Sequence, residues 1–424
     1  MKASVFMTSV CLGGLASGAF AADFSVKGNV SETVEGSNNY LLLSAPSGPT
    51  LKSTTAGTLD FLARTPTTSY LLDTNYSYYH YYGPGAVDTS VMGTPASATF
   101  TINHLTELNL YNFAASWNRA DAAATQLAQT GIATAHGSIT TKAVSGGITR
   151  DLGRIDTISW AANASSVSFT DPTQTPYVDF NTGTTWNHSL SQTTSLVNAV
   201  NFDWFSEDNT AKSQRLFWTI TSGLQSRLSS RLTVSANVLA YFANSYQSGI
   251  AQAIIQTGGF QPMIGAGHSW GANVAMSYQL LKSTQVSLMA AQVTIPTFTG
   301  QLQQSQSIGA TLGQTINEFS NLSFSANYAQ ATSPNSTLAS TGTSTDFFSA
   351  SVNYGYQLTR DWRTSLSYTF AEAIGTAKSS TVLFRLSRDF TLMGNPTAIN
   401  QAEAERARQR ALSSVGYVFP TLHY

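Results

Sequence analysis

The chain has 424 residues and a net charge of −1, so it carries no basic field suited to nucleic acid. Only 10% of its residues are Asp, Glu, Lys or Arg, against about 25% in ordinary soluble domains. Ser, Thr, Asn and Gln replace them, which disfavours a conventional charged globular surface.

The N-terminus opens with the short positive start Met1-Lys2, a mostly apolar run from Val5 to Ala16, and Ala19-Phe20-Ala21 as an A-x-A site. This reads as a secretory signal peptide spanning 1–21, cleaved after Ala21. The single cysteine, Cys11, lies inside it and lacks a lipobox setting. The mature chain therefore has no disulfide to stabilise it after export. Past this segment no apolar run reaches about 18 residues, so a transmembrane helix is not expected.

The rest of the chain is largely a series of short segments in which apolar and small polar residues alternate. Leu232, Val234, Ala236 and Val238 oppose Arg231, Thr233, Ser235 and Asn237. Leu322, Phe324, Ala326 and Tyr328 oppose Asn321, Ser323, Ser325 and Asn327, and Trp362, Leu366, Tyr368 and Phe370 oppose Arg363, Ser365, Ser367 and Thr369. Period-two alternation means strands with one apolar and one wet face. Repeated along a long chain, it indicates an antiparallel transmembrane β-barrel that is apolar toward lipid and polar toward a lumen.

Short turns at Thr149–Arg154, Gln225–Ser229, Leu281–Thr284, Asn317–Ser320 and Thr359–Asp361 alternate with long connections. The long ones lie around Gly36–Thr50, Gly83–Ala96, Asp121–Gly131, Ser245–Gly265 and Thr332–Thr343. Short turns belong to the periplasmic end and long loops to the outside. Eighteen strands are expected, starting near residues 24, 51, 68, 97, 108, 132, 153, 176, 195, 212, 229, 266, 285, 301, 319, 344, 361 and 378. Strands four, five and eight alternate poorly, and sixteen strands is the competing count.

Tyr76, Tyr78, Tyr79, Tyr81 and Tyr82 cluster at a strand end, as in an interfacial aromatic girdle, although ordinary β-propensity gives the same enrichment. The loop Gly249–Gln256 is unusually apolar and suits a loop packed on its neighbours, an inward constriction or a cover over the mouth. After Asn395-Pro396, Gln401–Ala411 is the densest charge cluster, with Glu403–Arg406 and Glu405–Arg408 at helical spacing. The expected division is a barrel over 22–394 and a periplasmic helical tail over 395–424, solvated or, alternatively, a docking helix or barrel plug. The competing reading makes Val415–Tyr424 the closing strand.

Gly267-His268-Ser269-Trp270-Gly271 matches G-x-S-x-G, but a nucleophile elbow needs a strand, a sharp turn and a helix. Here Ala272–Met276 continue a strand, and His423 is the sole later histidine. His80, His104, His136 and His188 are isolated, with no pair at metal-ligand spacing. No catalytic, cofactor-binding or metal site is expected, and no cofactor.

With these hairpins and the turn Tyr356-Gln357-Leu358-Thr359-Arg360-Asp361-Trp362 in view, the chain resembles bacterial outer-membrane β-barrels. More narrowly, it is similar to the barrel porins associated with exopolysaccharide gene clusters in proteobacteria. The resemblance covers about residues 22–390 and lies in pattern, so it transfers no functional residue. It implies an outer-membrane pore for neutral or hydroxyl-rich solutes, linked to exopolysaccharide export. Its implied partners are outer-membrane lipid, the barrel assembly machinery, and polysaccharide or small solutes. A barrel lipase or protease and a Ser/Thr-rich surface adhesin, built as a β-solenoid, are the alternatives. A solenoid would need a fixed repeat period that these hairpins do not keep.

Overall fold

The computed structural model describes residues 23–85, 94–122, 125, 137–172, 174–208, 214–246, 267–296, 302–332 and 345–393. The proposed signal peptide, the loop 249–256 and the charged tail lie outside them. The chain forms β1 (Asp23–Ser37), β2 (Thr50–Arg64), β3 (Thr68–Tyr82), β4 (Ala96–Leu105), β5 (Asn109–Asp121) and β6 (Ser138–Asp151). Next come β7 (Asp156–Phe169), β8 (Tyr177–Ser189), β9 (Thr194–Glu207), β10 (Gln214–Arg227), β11 (Leu232–Tyr246) and β12 (Gly267–Leu281). The series ends with β13 (Thr284–Pro296), β14 (Leu302–Thr315), β15 (Ser320–Thr332), β16 (Thr345–Gln357), β17 (Trp362–Ala373) and β18 (Ala377–Met393).

Each strand pairs antiparallel with the next, and β1 pairs with both β2 and β18, so the 18-stranded sheet closes on itself. Closure leaves no edge, which satisfies the backbone of a β-structure in lipid. Among the described residues no helix is long and apolar enough to cross a membrane. The eighteen-strand count holds over the sixteen-strand one, and the up-and-down order is that of a barrel and not of a solenoid. Closure is complete within residues 23–393, with the Phe390 ring of β18 lying where a Cβ on Gly28 of β1 would stand. Val415–Tyr424 is therefore not required as a closing strand.

Strand register assigns every side chain to one of two faces. Val382, Tyr368, Val352, Phe324, Leu312, Val286, Tyr278 and Leu232 are successive cross-strand partners from β18 to β11. This row faces outward, in an exposed apolar band that includes Val382, Tyr368 and Phe324. One residue further along each strand, the row is Thr381, Thr369, Ser351, Ser325, Thr311, Ser287, Ser277 and Thr233. That row faces the lumen. An apolar outer band on a closed sheet with a polar interior is the build of an outer-membrane barrel, and it places the chain there.

Two expectations are corrected. β6 begins at Ser138 and not near 132. Gly137 takes the left-handed conformation at φ 82° and its carbonyl accepts the Ala122 N–H at 3.0 Å, so ladder pairing starts one residue later, at Asp121 and Ser138. The tyrosine cluster is not a single girdle. Tyr76, Tyr78 and Tyr82 are exposed on the outside, whereas Tyr79 and Tyr81 have the opposite parity and are buried inside.

The face assignment is tested by parity. Leu366→Arg and Phe324→Arg are expected to destabilise the barrel by up to about 2–4 kcal/mol, the cost of a cation at the bilayer midplane. Ser365→Asn and Ser323→Asn on the lumenal face should be tolerated. Urea unfolding in lipid checks this, and equal tolerance at both parities would contradict it. A chain ending at Met393 is expected to insert and to keep heat-dependent mobility on a detergent gel. Loss of insertion both there and in the full-length Tyr424→Ala variant would make the tail the closing strand.

Candidate functional site: the lumen and its mouth

The lumen wall is built chiefly from hydroxyls and amides. Extending the inner row through Ser37, the partner of Thr381, gives nine consecutive Ser and Thr residues on β1 and β18 to β11. Because tilted strands shift partners along the barrel axis, this track descends from the outer end of β1 to the periplasmic end of β11. Neighbours on it touch: Ser325 Oγ lies 2.7 Å from Ser351 Oγ, and Thr381 Oγ1 donates to Ser37 Oγ at 3.1 Å.

Glycine and asparagine form a second recurring unit on the same face. Asn112 faces Gly147, Asn201 faces Gly183, Asn237 faces Gly223, Asn327 faces Gly309 and Asn321 faces Gly355, each as a direct cross-strand pair. A Cβ on Gly183 or Gly223 would fall on the Oδ1 of its asparagine. The absent side chain thus lets the amide lie against the wall, exposing hydrogen-bonding groups without narrowing the bore. Asn237 also donates to Asn273 Oδ1 at 2.6 Å.

Lumenal charges are scarce and mixed in sign. Arg363 pairs with Asp389 at 3.2 Å, and Asn29 donates to the other Asp389 oxygen at 2.7 Å. Arg215 lies 3.7 Å from Glu207 and over the Phe205 ring. Lys27 and Asp60 are direct cross-strand partners, as are Glu35 and Lys52. These groups offset one another in place, while Asp179 and Asp203 on the inner face of β8 and β9, and Asp73 opposite Asp60, add carboxylates to the wall.

At the external end the bore meets an inward-folded loop, residues 38–49. Leu42 is buried against Ala373, Ala377 and Phe347 on the inner face of β16–β18. It holds φ at 52°, a conformation that non-glycine residues seldom adopt. Asn39 organises the turn by donating to the Leu43 and Lys378 carbonyls at 2.8 and 3.1 Å, and its Oδ1 accepts the Leu43 N–H at 2.9 Å. Asn38 Oδ1 accepts the Ser380 N–H at 2.7 Å. On the other side of β1, Tyr40 accepts from Lys52 Nζ at 2.8 Å and from Tyr81 OH at 3.2 Å. The Lys52 ammonium lies 5.1–5.5 Å from the ring centres of Tyr40, Tyr79 and Tyr81. Facing residues of β6 to β9 add a second apolar patch at the mouth, where Ile139, Val167, Tyr177 and Phe205 pack together.

Residues singled out by motif fall elsewhere. Ser269 lies within β12 opposite Tyr241, and the strand runs on to Leu281, so the motif lacks the strand–turn–helix geometry of an elbow. His104 sits beside Thr68 Oγ1 at 2.8 Å, and His188 beside Asp156 at 2.8 Å; both are near strand ends. His80 packs edge-on against Tyr82, while His136 and His423 lie outside the described residues. No group of three potential metal ligands occurs among the described residues. Sequence reading missed loop 38–49, whose signal was the apolar run Tyr40-Leu41-Leu42-Leu43 in a long external connection.

No protein-family model matches the chain, and no curated protein does. Solved structures do match. A BenF-like porin from Pseudomonas fluorescens Pf-5 aligns at TM-score 0.52 and 9% identity, over 88% of this chain and 99% of that one. OccK9 (OpdG) of Pseudomonas aeruginosa aligns at 0.51 and 8% identity, over 87% and 99%. Pseudomonas aeruginosa OpdK, solved with vanillate, aligns at 0.50 and 10% identity, also over 87% and 99%. At these identities the likeness is one of fold.

The mouth generates one prediction. Leu42→Asn keeps a residue tolerant of the left-handed conformation but removes the apolar anchor. It is expected to free the loop and raise single-channel conductance at least about twofold, with heat-dependent mobility unchanged. Unchanged conductance would show that the loop does not limit the opening.

Proposed function

We propose that the protein is an outer-membrane pore for neutral, hydroxyl-rich solutes. The observation that carries this reading is the descending track of nine Ser and Thr side chains, flanked by the Gly–Asn pairs. Barrels of 16–18 strands are wide enough to leave an aqueous channel. A wall of hydroxyls and amides replaces the hydration of a sugar group by group without filtering by charge.

Exopolysaccharide passage is the extended form of the same chemistry, with successive sugar units sharing one track. Export by residues 1–21 as a cleaved signal peptide belongs to this proposal, as do outer-membrane lipid and the assembly machinery as partners. The likeness to OpdK raises an aromatic acid such as vanillate as a competing solute. Pairing of Arg363 with Asp389 and of Arg215 with Glu207 favours the neutral one.

Liposome swelling tests the proposal. Neutral di- and trisaccharides should enter faster than anionic solutes of equal size, and Ser325→Ala with Thr311→Val and Thr369→Val should slow the sugars several-fold while leaving small-ion conductance within about twofold. Faster entry of vanillate or glucuronate than of neutral sugars would overturn it, as would a bore that conducts no ions.

A further inference from the structure

Toward the middle of the strands, the outer face carries two charges that make no ion pair or ring contact among the described residues. Glu32 lies on β1 in the same outward row as the exposed Val30 and Val34. Its carboxylate accepts hydrogen bonds from Ser53 Oγ at 2.6 Å and Thr55 Oγ1 at 2.5 Å on β2. Lys142 lies on β6, exposed, two residues from the exposed Val144 and opposite Trp117 and Ser166. Other outward charges are Lys378, which pairs with Glu372 at 3.2 Å, Asp346, which accepts from Gln330 at 2.9 Å, Arg150 at the end of β6, and Arg388, which stands opposite Val30 and sits over Trp362.

The two charges lie at similar depth. Glu32 is five positions from Ser37 at the external end of β1, and Lys142 four from Ser138 at the external end of β6. At about 3.3 Å per residue and a tilt near 40°, each is roughly 10–13 Å below the strand end, within an apolar band about 25 Å tall. Lipid is a poor solvent for both. Each charge has small residues on one side only. Ser53, Thr55 and Gly57 of β2 lie beside Glu32, and a Cβ on Gly57 would meet nothing within 4 Å, while Leu386 and Phe384 of β18 lie on its other side. Ala164 and Ser166 of β7 lie beside Lys142, with Trp117 of β5 directly opposite it on the other side.

We infer that these patches are the two halves of a contact between copies of this chain, with Glu32 of one barrel facing Lys142 of the next. Opposite charges neutralise each other where lipid would leave both unpaired, and the small residues on one side of each charge leave room for the partner's side chain. Since the halves lie on different faces of one barrel, the contact is head-to-tail, and repeated around an axis it closes a ring.

Crosslinking of the full chain in outer membranes, in a Cys11→Ser background, tests this. Thr55→Cys combined with Ser166→Cys should give covalent dimers and higher species, ending at one ring size, with a short bifunctional maleimide. Either cysteine alone should give none. Glu32→Lys or Lys142→Glu should each convert the purified oligomer to monomer, and the double exchange should restore it; heat-dependent mobility confirms folding in every variant. Crosslinking by Thr55→Cys alone would mean a symmetric contact and overturn the assignment. So would an oligomer indifferent to both charge changes, or a monomeric parent in which Lys142→Glu alters only bound anionic lipid.

Discussion

Everything in this molecule depends on the closure of one backbone hydrogen-bond ladder. β1 donates and accepts on both sides, to β2 and to β18, so the sheet presents no strand edge to lipid. In a hydrocarbon medium an unpaired peptide group costs several kcal/mol, and a ring of eighteen strands removes that cost without a core. The ring then leaves each side chain two environments, lipid outside and the bore inside. Alternation along the strand is a consequence of this constraint. Leu322, Phe324 and Ala326 face one medium, and Asn321, Ser323 and Ser325 the other.

Strand tilt turns that local rule into a functional surface. Residues that pair across strands shift steadily along the axis, so a Ser or Thr at matching register on successive strands becomes a descending track. Gly–Asn pairs serve the same end by another route. An amide has a bulky side chain, and only a neighbour without a Cβ lets it fold flat. Much of the charge is paired locally, as Arg363 is with Asp389 and Arg215 with Glu207, while Asp179 and Asp203 add carboxylates on β8 and β9. At the mouth, loop 38–49 uses apolar contacts through Leu42 and a caged cation at Lys52, so the entrance differs in chemistry from the conduit beneath it.

Strand positions and faces were legible in the sequence because both depend on local periodicity. Seventeen of the eighteen expected starts lie within three residues of the observed ones, the sixth being the exception. Strand four, which reads weakly, places Phe100 and Ile102 outward and Thr99 and Thr101 inward. Strand eight alternates poorly for a physical reason: Thr182 and Thr184 occupy its outer face between Phe180 and Trp186. What could not be read depends on partners distant in the chain. The Tyr79–Tyr81 cage exists because Tyr40 and Lys52 arrive from other segments, which neither a girdle nor ordinary β-propensity would show. The hydroxyl track likewise required the register of nine strands.

A pore of this build needs a bore that is wetted along one parity and a wall that is lipid-bathed along the other. Spin labels placed singly at each position of β15, from Ser320 to Thr332, measure this directly by their accessibility to a water-soluble nickel chelate and to oxygen. Nickel accessibility should peak at odd positions, including Ser323, Ser325 and Asn327, while oxygen accessibility peaks at Leu322, Phe324 and Tyr328. Odd positions shielded from both reagents would mean a filled interior, and the absence of any period-two oscillation would contradict the two-faced barrel itself.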